Sequence, residues 1–229
     1  MTDLSVENIH VFRSDRHVLR GLGLRVEAGR CLQVTGENGA GKTTLLRVLC
    51  GLLPAESMEL SWQGVRCSPH APHYHEQLAY LSHAAPLKAD LTGWENLHFA
   101  LGLRGVWRAQ SVQRVLEQVG AARFADRAVR SLSAGQRRRL ALAWLAASQT
   151  ELWLLDEPTT NLDVAGVGIV RELLLQHLQQ GGIAVVATHQ ELDLAAPYLE
   201  RLHIAKGMAK KTGLTAGSAN PAAMESPSA

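Results

Sequence analysis

An eight-residue segment at positions 36–43 constrains this chain more than any other feature of its sequence. It reads Gly-Glu-Asn-Gly-Ala-Gly-Lys-Thr and fits the pattern G-x-x-x-x-G-K-[ST]. An apolar run at residues 30–35 predicts a buried strand before it, and residues 43–50 predict a helix after it. Glycines let backbone N–H groups turn inward around a phosphate, and the helix N-terminus directs its positive dipole end to the same place. We therefore expect nucleotide phosphates to bind Gly36, Glu37, Asn38, Gly39, Ala40, Gly41, Lys42, Thr43 and Thr44.

The chemistry of this loop is completed by two acidic residues farther along the chain. The Lys42 side chain is expected to reach the β- and γ-phosphates, and the Thr43 hydroxyl is expected to ligate Mg²⁺. The apolar run at 151–156 ends in Asp156, which Glu157 follows. Carboxylates at the carboxyl end of a parallel strand face the crevice where ligands bind. We expect Asp156 to hold Mg²⁺ through water and Glu157 to polarise the attacking water; a merely solvated acidic strand end is the weaker alternative.

Strand-length apolar runs alternate with helical patterns, which predicts an α/β fold with a parallel sheet and helices on its faces. Further strands are expected at 151–156, 183–188 and 201–205, with a helix at 164–179. Helical patterns dominate between 91 and 144, so we predict a helical insertion at about 86–147 within one domain of residues 1–208. Residues 209–229 lack periodicity and are expected to form a disordered tail.

Composition excludes several classes of protein. The 229 residues carry 23 Lys and Arg against 21 Asp and Glu, a net charge of +2, which argues against a broad nucleic-acid-binding surface. The longest apolar run, residues 140–147, is far shorter than the roughly 20 residues that span a bilayer. The N-terminus lacks the pattern of a signal peptide. Cys31, Cys50 and Cys67 form no Cys-x-x-Cys pair, so we expect reduced thiols in a cytoplasmic protein.

Residues 132–136, Leu-Ser-Ala-Gly-Gln, open a predicted helix with Ser133 as its N-cap. Capping alone would explain this serine. Together with the phosphate loop and the acidic strand end, however, the segment resembles the Leu-Ser-Gly-Gly-Gln signature of the ATP-binding cassette (ABC) family, with Ala134 replacing the first glycine. The resemblance implies an α/β P-loop NTPase fold of the ABC nucleotide-binding type with an inserted helical subdomain. It also implies that Ser133, Gly135 and Gln136 bind the γ-phosphate of ATP held by a second subunit.

The remaining motifs of that family follow in order. Asp163 ends a segment, residues 161–163, similar to the loop that contacts the opposite subunit's phosphate loop, and His189 matches the histidine that hydrogen-bonds the γ-phosphate. The resemblance implies an ATPase with Glu157, His189 and Lys42 in catalysis and with ATP and Mg²⁺ bound. It further implies a head-to-tail dimer, integral membrane subunits as partners, and peripheral attachment to the cytoplasmic face of the bacterial inner membrane. No nucleic-acid partner is expected.

Two positions depart from the usual family pattern. His83 stands where a glutamine normally follows the strand after the phosphate loop, and its imidazole can accept from a metal-bound water. Arg13 stands where an aromatic residue normally stacks on adenine. A guanidinium can stack on a base plane, and the neighbouring Phe12 can do so as well, so both stay candidates for the adenine contact.

Together with the phosphate loop, His83 and Ala134 make the chain similar to the ATP-binding subunit of the haem exporter in bacterial cytochrome c maturation. The resemblance therefore implies ATP hydrolysis coupled to haem translocation. The same motor exporting another substrate, such as a lipid or a drug, is the nearest alternative. A nucleotide-binding regulatory module without transport is an alternative of another class.

Two further clusters of residues are open to more than one interpretation. His70, His73 and His75 lie in a Pro-containing segment; a metal or haem site is one interpretation, and an exposed loop is the favoured one. The run Arg137 to Arg139 is expected to begin the signature helix, with some arginines solvated and one supporting the phosphate site.

Overall fold

The computed structural model describes residues 3–84, 86–195 and 197–211. Strands and helices alternate along most of this length. The strands are β1 (Asp3–Arg13), β2 (Arg16–Glu27), β3 (Cys31–Thr35), β4 (Ser57–Trp62), β5 (Val65–Cys67), β6 (Leu78–Leu81), β7 (Leu152–Asp156), β8 (Ile183–Ala187), β9 (Leu199–Ala205) and β10 (Met208–Lys211). The α-helices are α1 (Lys42–Leu49), α2 (Pro72–His75), α3 (Gly93–Leu103), α4 (Ala109–Gln118), α5 (Ala134–Ala147) and α6 (Val164–Gln179).

A six-stranded sheet in the order β10-β9-β3-β8-β7-β6 forms the centre of the fold. Its strands pair in parallel except for β10, which runs antiparallel to β9. Strands β7 and β8 are buried along their whole length, as expected for parallel strands covered on both faces. This arrangement confirms the predicted α/β fold and the strands predicted on either side of α6.

The two faces of this sheet pack into two different cores. On β7, Leu152 and Leu154 belong to a core shared with β1, β2 and α1. Trp153 and Leu155 point to the other face and join a core with helices α3 to α6. Because side chains alternate across a strand, the continuous apolar run at 152–155 supplies both layers at once.

A second, four-stranded antiparallel sheet in the order β2-β1-β4-β5 was not predicted from the sequence. Its register explains why. The buried positions of β1 change phase between Val6 and Ile9, where the pairing with β2 shifts and Asn8 adopts a φ of 53°. A β-bulge of this kind breaks the period-2 alternation by which a half-buried strand is recognised.

Helices and turns occupy the described residues from 86 to 147. The single β-bridge among these residues is the isolated pair Thr92 and Ala128, which lies outside any strand. The signature helix α5 begins with a capping box, in which Ser133 accepts from the Gln136 N–H and Gln136 accepts from the Ser133 N–H. Helix α6 has the predicted bounds. In the described part of the chain, no helix is both long and apolar enough to cross a membrane.

The predicted start of the tail at residue 209 is wrong by three residues. Residues 209–211 belong to β10, which pairs with β9 along Leu202 to Ala205. A hairpin partner supplies these residues with backbone hydrogen bonds that sequence periodicity does not reveal. The rest of the predicted tail, 212–229, lies outside the described residues.

Candidate nucleotide-binding and catalytic site

The phosphate loop joins the carboxyl end of β3 to the N-terminus of α1. At two positions of the loop, the backbone conformation and the close neighbours require glycine. Gly36 has a φ of 148°, and a Cβ there would lie 2.4 Å from the Ile204 carbonyl oxygen. Gly41 has a φ of 114°, and a Cβ there would lie 2.7 Å from Leu19 Cδ2. The loop is therefore pressed between β9 and β2, which fixes its curvature.

The Lys42 side chain points into the loop that it follows. Its ammonium donates to the carbonyl oxygens of Gly36 at 2.7 Å and Glu37 at 3.2 Å, and the residue is buried. Lys42 begins α1, whose first N–H groups face the same region. The predicted phosphate-binding lysine thus lies where its charge and the helix dipole act together.

Thr43 and Asp156 come together although 113 positions separate them, because β3 and β7 each pair with β8 and end on the same edge of one sheet. The Thr43 hydroxyl donates to Asp156 Oδ1 at 3.1 Å. Burial raises the pKa of Asp156, and the bond from Thr43 opposes that rise. A hydroxyl and a carboxylate oxygen at this spacing are hard donors that fit the coordination chemistry of Mg²⁺.

His83 is exposed and follows the carboxyl end of β6, the strand next to β7. A positive charge at this position would counteract the rise in the pKa of Asp156 that burial causes. The predicted third metal contact therefore lies close enough to interact with Asp156 electrostatically.

Glu157 and His189, both predicted to be catalytic, are in direct contact. Glu157 Oε1 lies 3.0 Å from His189 Nδ1, and Glu157 Oε2 accepts from the Thr188 hydroxyl at 2.9 Å. The Glu157 backbone is strained, with a φ of 47°, and its N–H donates to the Ala187 carbonyl. The carboxylate is thus held from two sides at the ends of β7 and β8.

A cavity of about 360 Å³ lies over the phosphate loop. Arg13 lines it, whereas Phe12 stacks on His17 with ring centroids 4.1 Å apart. This geometry favours Arg13 of the two candidates for the adenine contact. Arg16, which sequence reasoning missed, lines the cavity too and donates to the Gly39 carbonyl at 3.4 Å. The full lining is Arg13, Arg16, Val18, Asn38, Gly39, Gly41, Lys42, Thr43, Thr44, Asp156 and Glu157.

The signature residues form a separate surface. A Cβ on Gly135 would lie 2.7 Å from the Asn161 carbonyl oxygen, so the start of α5 packs tightly against loop 161–163. Asp163 caps α6 by accepting from the Gly166 N–H, which lowers its pKa, and also pairs with Arg139 at 2.8 Å. Ser133, Gly135, Gln136 and Asp163 do not line the phosphate-loop cavity of their own chain. The other predicted site residues that do not line it are Gly36, Glu37, Ala40, His83 and His189.

The three-histidine segment is partly helical. His73 and His75 lie on α2, and the His70 and His75 rings stack with centroids 6.4 Å apart. Tyr74 between them is buried and donates to the Leu49 carbonyl, which anchors the segment. Within residues 3–84, 86–195 and 197–211, no group of three or more His, Cys, Asp or Glu side chains is arranged to hold a metal ion.

Known proteins resemble this chain in sequence and in fold. Residues 19–160 match the ABC transporter family. The cytochrome c biogenesis ATP-binding export protein CcmA 2 of Cupriavidus metallidurans is 45% identical over 86% of this chain and 94% of its own length. The corresponding CcmA protein of Methylococcus capsulatus is 43% identical over 83% and 93%, and that of Escherichia coli K12 is 43% identical over 84% and 91%.

Two solved structures share the fold at lower identity. One, titled as the ATP-binding subunit of an ABC transporter, has a TM-score of 0.80 at 23% identity and covers 92% of this chain and 89% of its own. The other, an ATP-binding cassette of an ABC transporter in its ADP conformation, has a TM-score of 0.73 at 21% identity over 92% and 90%. With its phosphate loop, acidic strand end and signature helix in place, the chain belongs to the ATP-binding subunits of the ABC transporter family, and its relatives there are cytochrome c biogenesis export proteins.

Proposed function

We propose that this chain is the ATP-hydrolysing subunit of an exporter that moves haem for cytochrome c biogenesis. The contact of Glu157 with Thr188 and His189, beside the phosphate loop, carries the hydrolytic part of the proposal. Membership of the ABC transporter family supports hydrolysis coupled to transport. The names of the relatives at 43–45% identity support the cytochrome c biogenesis system. Haem is the cargo implied by the resemblance of the sequence to haem exporters of that system.

This chain's own residues supply the groups that act on the water, the metal ion and the β- and γ-phosphates. Glu157 accepts a hydrogen bond from a water and orients its oxygen toward the γ-phosphorus. His189 donates to a γ-phosphate oxygen, and Lys42 neutralises charge on the β- and γ-phosphates. Thr43 and Asp156 would hold Mg²⁺, with His83 beside them; the ion, when bound, supplies further charge neutralisation. The water oxygen bonds to the γ-phosphorus as the bond from that phosphorus to the bridging oxygen breaks. ADP leaves with the bridging oxygen, and the water oxygen and its protons leave as part of the inorganic phosphate and the released proton.

A second copy of the chain is required for a complete site. The N-terminus of α5, with Ser133, Gly135 and Gln136, is suited to an anion but does not line the cavity of its own chain. We propose a head-to-tail dimer in which this end meets the phosphate loop of the partner, with Asp163 and its loop beside it. Because a two-fold axis relates the two copies in this arrangement, both sites form together.

The exporter's membrane subunits are proposed to dock on an apolar groove at the helical insertion. Phe99 is 49% exposed and Leu103 is 75% exposed on α3, next to Leu87 and Trp144. An exposed apolar groove of this kind suits a short amphipathic helix. Docking there would hold this chain at the cytoplasmic face of the bacterial inner membrane. The groove begins at Pro86, shortly after residues 82–84, which form the His83 loop.

Glu157→Gln tests the hydrolytic role. The amide keeps the shape of the side chain but loses its charge, so we expect phosphate release to fall by at least about 10²-fold while ATP still binds. Steady-state phosphate release and an equilibrium titration with a fluorescent ATP analogue measure the two properties. Normal phosphate release by this variant would contradict the assignment.

Deletion of the gene tests the cargo system. We expect c-type cytochromes to disappear and to return when the wild-type gene, but not the Lys42→Ala gene, is supplied. Haem-stained gels and membrane difference spectra measure this loss. Normal c-type cytochromes in the deletion strain would point to another cargo, such as a lipid or a drug.

A further inference from the structure

Arg138, on the signature helix α5, has a buried guanidinium that contacts two loops of the catalytic site. The residue is only 3% exposed. Its Nε donates to the Pro158 carbonyl at 2.9 Å, and its Nη1 donates to the Ser82 carbonyl at 2.8 Å. Its Nη2 donates to the Asp156 carbonyl at 3.1 Å and to the Glu157 carbonyl at 2.6 Å. One planar side chain therefore engages four backbone oxygens.

The charge of this group is retained although it is buried. Burial lowers the pKa of Arg138 to about 10, and the carboxylates of Asp156 and Glu157 oppose that shift. The group stays protonated at neutral pH. Removing a guanidinium from water is costly unless hydrogen bonds compensate it, and the four carbonyl oxygens provide that compensation. Such an arrangement depends on the planar fork that arginine has and lysine lacks.

The carbonyl oxygens that Arg138 contacts belong to the catalytic machinery. Three of them are consecutive, at residues 156–158, and hold the turn in which Glu157 has its strained positive φ. The Glu157 N–H is fixed by the Ala187 carbonyl, so both polar atoms of its backbone are bound. A residue in a sparsely populated backbone region persists only when its surroundings hold it there.

The fourth carbonyl oxygen connects a different segment. Ser82 lies between the end of β6 and His83, so its bond ties the His83 loop to the same guanidinium. A displacement of that loop would act on Arg138 and through it on the Glu157 backbone.

We propose that Arg138 is a positioning residue for ATP hydrolysis, which fixes the Glu157 backbone and couples it to the His83 loop. This inference rests on the proposed role of Glu157 as the residue that orients the attacking water. Arg138 itself touches neither water nor nucleotide in this role. It fixes the backbone from which the Glu157 carboxylate extends toward Thr188 and His189, and it lets the His83 loop act on that backbone.

The neighbouring Arg137 provides a matched control. It lies on the same helix, is half-buried, and donates to the Leu132 carbonyl at 2.8 Å rather than to the catalytic turn. Arg137→Gln and Arg138→Gln therefore make the same chemical change one residue apart. Arg138→Lys keeps the charge and loses the fork.

The test measures ATP hydrolysis, ATP binding and thermal unfolding of the full-length chain and its variants. We expect Arg138→Gln and Arg138→Lys to lower kcat by about 10- to 100-fold, as misplacement of a catalytic group does, with KM and the affinity for a fluorescent ATP analogue within about twofold of wild type. Arg137→Gln should keep kcat within about twofold. A kcat that falls while KM stays constant marks a loss of positioning.

A double-mutant cycle with His83→Ala tests the coupling. If Arg138 connects the His83 loop to Glu157, the effect of His83→Ala on kcat should shrink at least about threefold in the Arg138→Gln background. Additive effects would overturn the coupling. Wild-type kcat in both Arg138 variants would overturn the positioning role. Loss of both ATP binding and thermal stability in the Arg138 variants would also overturn it, because Arg138 would then hold the fold rather than position Glu157. Absence of hydrolysis in the wild-type chain would instead contradict the proposed function.

Discussion

At the scale of single residues, Lys42 carries the charge that the phosphate loop encloses. Its ammonium is held by the Gly36 and Glu37 carbonyls, at the place where phosphate oxygens are expected to bind. A charge-assisted hydrogen bond contributes about 1.5–3 kcal/mol, so Lys42→Ala should weaken ATP binding by about 10- to 100-fold. Equilibrium titration with a fluorescent ATP analogue measures the change.

The control for this variant is Lys88→Ala, which removes an equal charge from the groove on the helical insertion. We expect its ATP affinity to match the wild type. An unchanged affinity in Lys42→Ala would mean that the loop does not bind phosphates.

The second residue-scale prediction concerns His83, which occupies a position that is usually glutamine in the family. An amide can also hydrogen-bond a metal-bound water, so His83→Gln should keep phosphate release within about tenfold of wild type. His189→Gln is the matched comparison, because His189 contacts Glu157 directly, and it should lose at least about 10²-fold. Complete loss of hydrolysis in His83→Gln would show that the site requires imidazole.

At the scale of elements, the residues of the site were predictable because the motifs lie at strand ends. β3, β8 and β7 are adjacent and parallel, so their carboxyl ends bring the phosphate loop, Asp156, Glu157 and His189 to one edge. Arg138 was predictable only as one of three arginines. Its partners are backbone carbonyls about 20 and 56 positions away, and such contacts leave no local pattern in a sequence.

The antiparallel sheet was missed for a different physical reason. Register shifts interrupt the pairing of β1 with β2 at three places, so no long alternating run marks these strands. The bounds of helix α6 were predictable, because a capping aspartate precedes its first residue and a Gly-Gly pair follows its last turn.

The junction of α6 with β7 carries a pH-dependent contribution to stability. His177, in the last turn of α6, stacks on Trp153 of β7 with centroids 3.9 Å apart, and its Nε2 lies 3.1 Å from the Ile183 carbonyl oxygen. Burial lowers the pKa of His177 from 6.5 to about 4. Between these values the unfolded chain binds a proton that the folded chain does not, so the free energy of unfolding falls as the pH falls.

From this shift we expect His177 to remove about 2 kcal/mol of stability between pH 7 and pH 5. The His177→Gln variant has no titrating group at this position. Its free energy of unfolding should therefore fall by about 2 kcal/mol less than that of the wild type over the same pH interval. Urea unfolding at both pH values measures the difference. His73→Gln, the same substitution at an exposed histidine, controls for the chemical change itself. Equal slopes for His177→Gln and wild type would contradict the assignment.

At the scale of the whole molecule, the proposed dimer assigns to each chain two halves of an ATP site, which lie on separate surfaces. The phosphate-loop cavity is one half, and the N-terminus of α5 with loop 161–163 is the other. The tight contact between Gly135 and Asn161 holds the α5 N-terminus and loop 161–163 together. Rotation of side chains therefore does not bring this second half to the cavity of its own chain. Two copies in head-to-tail orientation would complete both sites.

A mixing experiment tests this arrangement. Lys42→Ala disables the phosphate loop. Gly135→Asp disables the signature end, because its Cβ would lie 2.7 Å from the Asn161 carbonyl oxygen and its carboxylate would repel a phosphate at the N-terminus of α5. Each variant alone should have little ATPase activity. In an equimolar mixture, mixed pairs contain one site built from the intact phosphate loop of one chain and the intact signature of the other. We expect the mixture to regain about a quarter of wild-type activity, since half of the pairs are mixed and each has one of two sites.

The melting temperature and ATP binding of Gly135→Asp control for folding, because its phosphate loop is unaltered and should still bind the fluorescent analogue. Adding a chain with both substitutions in place of one partner should abolish the recovery, since no pair would then contain an intact combination. Activity in the first mixture that merely equals the average of the two separate variants would mean that each chain builds its ATP site alone.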